Sequence, residues 1–145
     1  MKNYFTFAEL CIINDPLPLD VADKLLKHHI LPMNKVREAL GKPITASQRS
    51  GYRPKNYEIR KGRSGNSQHT FEGLGAVDWT AADVHALLQL ILANTPYERV
   101  CYYPNNGFIH CDHRHSADRK PGFKRYYECP SPAGQWRFIK YINNK

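Results

Sequence analysis

Apolar and polar residues recur with two periods along this chain, and the change from one to the other divides it into elements. Thr6 and Glu9 stand in a Thr-x-x-Glu capping-box pattern, which predicts a short helix from near Phe7. "NDPLPLD" reads as a loop with two prolines. Asp20 reads as the cap of a longer helix over Val21–Leu40, with Val21, Leu25, Leu26, Ile30, Val36 and Leu40 on one face. Pro32 lies inside it and should kink or split it, and Gly41 and Pro43 should stop it. His28 and His29 on this helix read as surface or packing residues.

Further along, the period shortens to two. "PITAS" predicts a short strand, and "RSGYRPKNYEIRKGRSGNS" an irregular stretch with one helical turn near Tyr57. "GAVDW" predicts a strand with Ala76 and Asp78 on one face and Val77 and Trp79 on the other. Thr80 and Asp83 form a second capping-box pattern, for a helix Ala81–Asn94 that buries Val84, Leu87, Leu88, Ile91 and Leu92. "VCYYPNNGFIHCDH" predicts a hairpin turning at Asn106-Gly107, and "KRYYEC" and "WRFIKYI" predict two more strands. Helices first and strands around one long helix afterwards indicate an α+β fold, with a small antiparallel sheet packed on helices.

Composition narrows the picture. The 145 residues suit one domain, 1–145, and 41% hydrophobic content lets burial offset chain entropy. No apolar run reaches the roughly 18 residues that span a membrane, so no stable membrane association is expected. "MKNYFTFAEL" lacks a signal peptide's apolar centre, so the expectation is synthesis in a cytoplasm, with release left to another factor. The four cysteines form no CxxC pair and read as free thiols. The net charge of +8 suits an anionic partner such as nucleic acid, lipid head groups or acidic cell-wall polymer. No nucleic-acid-binding motif accompanies it, and a monomer is expected.

"SQHTFEGLGAVDW" places His69 just before a glycine-flanked strand and Asp78 on that strand. "HCDHRH" adds His110, Asp112, His113 and His115 after the hairpin turn. His110 and Asp112 lie two apart and share a strand face. If this strand neighbours the Asp78 strand, His69, Asp78 and His110 converge. Two imidazoles and one carboxylate suit zinc and leave a position for water. On residue types alone, a basic, histidine-rich loop without metal is an equal reading.

The motifs "SGYRP", "SQH", "GAVDW" and "YYPNNGFIHCD", in that order, resemble the M15 zinc peptidases, in particular their phage-type branch, from about Phe5 to Tyr127. That family includes D-Ala-D-Ala carboxypeptidases and peptidoglycan endopeptidases, and shares its fold with the hedgehog signalling domain. The resemblance implies zinc ligands at His69, Asp78 and His110, and Arg53 pointing at the substrate. It gives Ser67 a backbone-bonding role beside the site. It further implies peptidoglycan peptide as substrate and an endolysin-like role, with release to the wall through a separate pore protein. A zinc-stabilised binding domain of the same fold, without catalysis, is the alternative.

Two departures stand out. Eight residues separate His69 from Asp78 where the family places six, with Glu72 in the extra length as a solvated carboxylate or a group over the metal. The acid that many relatives carry three residues before the last ligand is replaced by Gly107. Asp112 is therefore the expected base, directly or by orienting a histidine. His113 should point away from the site. His115 is a rival to His110, since "HCDHRH" also reads as acid-x-x-His.

Overall fold

The computed structural model describes residues 2–13, 16–115, 119–130 and 135–144; Asn14 and Asp15 of the first predicted loop lie outside them. The first capping box forms reciprocally. The Thr6 N–H donates to Glu9 Oε1 at 2.8 Å, and the Glu9 N–H donates to Thr6 Oγ1 at 3.4 Å, ahead of a 3-10 turn at Ala8–Leu10.

The long helix is divided, as its proline requires. α1 (Leu19–Leu25) runs into a π-helical segment, Leu26–Ile30, and then into α2 (Leu31–Leu40), with Pro32 in its first turn. Asp20 sits in the first turn of α1 and makes no capping bond. A proline brings no N–H to the carbonyl four residues earlier, which here is His28. The His113 ring supplies the missing donor, with Nε2 3.1 Å from that oxygen. α3 (Lys55–Arg60) is the predicted turn near Tyr57. α4 (Val84–Asn94) starts three residues later than predicted. Asp83 is its cap, accepting from the Ala86 N–H at 3.0 Å, while the Thr80 hydroxyl donates across the sheet to Gly107 O.

The strands are β1 (Ile44–Ala46), β2 (Ala76–Ala81), β3 (Arg99–Tyr103), β4 (Phe108–Asp112), β5 (Phe123–Glu128) and β6 (Arg137–Asn143). They form one sheet in the order β1-β2-β4-β3-β5-β6. Four of the five pairings are antiparallel, but β3 and β5 run parallel, so the sheet is mixed where an antiparallel one was expected. β5 lies on the edge of β3 away from β4 and runs parallel to β3. The hairpin itself turns through four residues, 104–107, rather than two, because Tyr103 pairs with Phe108.

Alternation then sorts the sheet's two faces. Val77, Trp79, Val100, Tyr102, Ile109 and Cys111 join Leu87, Leu88, Ile91 and Leu92 of α4 and Leu25, Ile30, Met33 and Val36 of the first helices in one buried core. Burial of this apolar area is the main stabilising contribution, at about 25 cal/mol per Å². All four cysteines are buried, and none is in a disulfide. The residues between these on β2, β3 and β4, namely Asp78, His110, Asp112, Arg99 and Tyr103, are thereby turned to the opposite face.

Candidate metal centre

Register brings two expected ligands together. β2 and β4 pair with Asp78 directly opposite His110. The third arrives on a 3-10 turn at Gln68–Thr70, whose cap is Ser67: its Oγ accepts from the His69 N–H at 3.1 Å. The SGYR segment holds that turn against the sheet. The Arg53 N–H donates to His69 O at 2.8 Å, and the Asp78 N–H donates to Ser50 O at 2.9 Å.

His69 Nε2, Asp78 Oδ1 and His110 Nδ1 therefore face one another, all three residues buried. Their separations are 2.9 Å between Asp78 and His110, 3.2 Å between the imidazoles and 3.3 Å between His69 and Asp78. Metal bonds of about 2.0–2.1 Å at tetrahedral angles place ligand atoms about 3.3 Å apart. The donor set and its spacing thus fit one divalent ion with a fourth position open to the cleft.

Each imidazole is aimed by its other nitrogen. His69 Nδ1 donates to Gly51 O at 2.8 Å, leaving Nε2 for the metal. His110 Nε2 donates to Asp112 Oδ2 at 2.8 Å, leaving Nδ1. Asp112 is in turn gripped by Arg99, whose Nε reaches Oδ1 at 2.9 Å and whose Nη2 reaches Oδ2 at 2.5 Å, and its Oδ1 also accepts from the Arg114 N–H. Burial opposes ionisation of both carboxyls. Even so, the two imidazoles hold Asp78, and His110 with Arg99 holds Asp112, well below the usual carboxylate range. Burial would likewise lower His110, but its bonds to Asp112 and Asp78 outweigh that and carry it up to about 9.

The direct role expected of Asp112 does not suit its place. It is fully buried behind the His110 ring with both oxygens engaged, so it orients that imidazole rather than facing the cleft. Glu72 is solvated and pairs with Lys55 at 3.4 Å. His113 turns away to the helices, packing on His28, His29 and Tyr97. His115 is exposed, 3.3 Å from Glu98, and stands apart from the three converging groups.

The extra length between His69 and Asp78 is tied down at two carbonyls. Lys24 Nζ donates to Phe71 O at 2.8 Å, and His29 Nε2 donates to Leu74 O at 2.9 Å. Gly75 closes the loop with φ +90°, and a Cβ there would lie 2.2 Å from the Phe71 ring.

The centre opens into a cleft of about 510 Å³. Arg53 lines it, as expected, with its Nε 3.5 Å from the buried carboxylate of Glu58, which also binds Arg63 at 2.6 Å. Arg63, Arg99, Arg114, Tyr103 and Trp136 line it as well and were missed in the sequence. A four-residue turn at 104–107 would have placed Arg99 opposite Asp112; Trp136 arrives through a long-range pairing with no local signal.

The family model for Peptidase M15 matches residues 3–112. The chain belongs to the M15 peptidases. No curated protein and no solved structure shows significant similarity to it. M15 peptidases are metal-dependent, which agrees with the buried His69–Asp78–His110 group. The match ends at the last residue of β4, so β5, β6 and Trp136 lie beyond it.

One glycine ties the family's arginine motif to the metal centre. A Cβ on Gly51 would lie 2.3 Å from the backbone oxygen of Leu10, and the Gly51 carbonyl is what aims His69. Gly51→Ala should cost about 2–3 kcal/mol as the two backbones are forced apart. It should also weaken metal retention. Denaturant melts and a metal-competition titration on the same sample read both effects.

Proposed function

We propose that this chain is a zinc peptidase of peptidoglycan stem peptides or their crosslinks. The observation that carries this reading is the convergence of two aimed imidazoles and one carboxylate at the floor of an arginine-lined cleft. Zinc bound there supplies a Lewis acid for a peptide carbonyl and acidifies a water. Arg53 presents a guanidinium fork to a substrate carboxylate, held in direction by Glu58. Among the described residues, Asp78 is the only carboxylate lining the cleft, and its Oδ2 has no hydrogen-bond partner there. The +8 charge favours an anionic wall. An endolysin-like lysis enzyme, monomeric and reaching the wall through a pore made by another protein, is the setting that suits it.

Two observations favour a second reading, a zinc-stabilised binding domain without catalysis: Gly107 stands where many relatives carry an acid, and Asp112 faces away from the cleft. Digestion of purified peptidoglycan, read by mass spectrometry of the released muropeptides, separates the two. The expected result is cleavage that stops on chelation and returns with zinc. Zinc retained and wall bound, with no fragment released, would establish the binding domain instead.

A further inference from the structure

Trp136 is contributed to the cleft from beyond the family-matched region. Its indole stands edge-on to His110, with ring centroids 5.0 Å apart, and under the Arg99 guanidinium at 4.5 Å. Its Nε1 lies 2.7 Å from the Tyr103 hydroxyl. An indole N–H only donates, so the Tyr103 oxygen is the acceptor and its own hydrogen must point elsewhere. Among the described residues that hydrogen has no acceptor. Tyr103 shares the site face of β3 with Arg99, and its ring is stacked on Phe108 at 4.4 Å. Both rings line the cleft that also holds His69, Asp78 and His110, and Trp136 touches both the Tyr103 hydroxyl and the His110 ring.

We propose that Tyr103 is a further catalytic residue, donating a hydrogen bond from its hydroxyl to the substrate's carbonyl oxygen, and that Trp136 is the residue that positions it. The proposal rests on the peptidase reading of the cleft. No proton is transferred: the phenol keeps its hydrogen and stabilises the charge that builds on oxygen as water adds. Burial raises the phenol to about 12, against the lowering effect of the Trp136 bond, so it is a neutral donor throughout any working range. Arg99, whose guanidinium lies over Trp136, is committed to Asp112 and does not compete for this task.

The test uses the zinc-loaded full chain with purified stem pentapeptide. Tyr103→Phe keeps the stacked ring and should keep full zinc content, with kcat down about a hundredfold and KM within about threefold. Trp136→Phe should lower kcat less, about tenfold, and cost nothing further in the Tyr103→Phe background. A Tyr103→Phe enzyme with kcat within about twofold of the parent overturns the proposal. A second arm needs no peptide. Acetohydroxamate brings a carbonyl oxygen to zinc, and calorimetry should show Tyr103→Phe binding it about tenfold more weakly than the parent. If the parent cuts no peptide, the peptidase reading fails and this arm decides: a tenfold difference upholds the donor role, and equal affinities overturn it.

Discussion

His110→Ala should leave a protein that retains no stoichiometric zinc after dialysis and has no measurable peptidase activity, whereas His115→Ala should keep about one zinc per chain and its full activity. His110 Nδ1 lies within 3.2 Å of both other donor atoms, and no other imidazole on β4 or after it shares that face. Two ligands in place of three leave the ion held by groups too few for a closed site. His115 is exposed and its neighbour is Glu98. Asp112→Asn adds a graded arm. The amide can still accept from His110 but no longer carries the charge that favours it, so metal affinity should fall about ten- to a hundredfold with the fold intact. Elemental analysis and competition with a chromogenic chelator measure all three. Zinc kept in His110→Ala and lost in His115→Ala would show that the acid-x-x-His reading of "HCDHRH" is the right one.

Acid should weaken this fold well before its carboxylates titrate. His29 is buried between the helices and the sheet. Trp79 Nε1 donates to the Tyr97 hydroxyl at 3.1 Å, that hydroxyl donates to His29 Nδ1 at 2.8 Å, and His29 Nε2 donates to Leu74 O. The chain of donors fixes the neutral tautomer. A second proton on Nδ1 would face a hydroxyl already accepting from the indole and would strand that hydroxyl's hydrogen. Burial, with His113 nearby, accordingly lowers His29 to about 3 from its ordinary 6.5. Between those values the unfolded chain binds a proton that the folded one refuses. The stabilisation is complete above about pH 6.5 and is lost as pH falls toward 3, at about 1.4 kcal/mol per unit. Urea melts at pH 6.5 and 4.5 should differ by about 2 kcal/mol from this source, with His113, also lowered by burial, adding in the same direction. A flat stability across that interval would remove His29 from the account. Because His29 holds the Leu74 carbonyl of the His69–Asp78 loop, metal should leak over the same interval.

Much of this was legible in the sequence for reasons of period and spacing. The alternation in "GAVDW" and "GFIHCD" set the faces of β2 and β4, so the convergence of Asp78 and His110 needed only that the strands be neighbours. Pro32 announced a divided helix, and one is present. What stayed hidden depends on register or distance. The Asn106-Gly107 pair suggests a two-residue turn, which would place Cys101 rather than Arg99 opposite Asp112; the four-residue turn makes Arg99 its partner. The parallel β3–β5 pairing, and the β5–β6 pairing beside which Trp136 reaches the cleft, are long-range and leave no local pattern. Nothing in the sequence singles out Glu58, and only its burial between two arginines shows its part beside the cleft.

A chain that gathers several imidazoles around one ion must also keep the surplus ones away, since a flexible histidine three residues from a ligand can compete for the same coordination position. His113 is that surplus. It is retained on the helix side by the His28 carbonyl, an acceptor left over because Pro32 carries no hydrogen. A break in a helix some eighty residues upstream thus acts as a tether on the strand's exit, and helps determine which nitrogens are available to the ion and which coordination number it can reach.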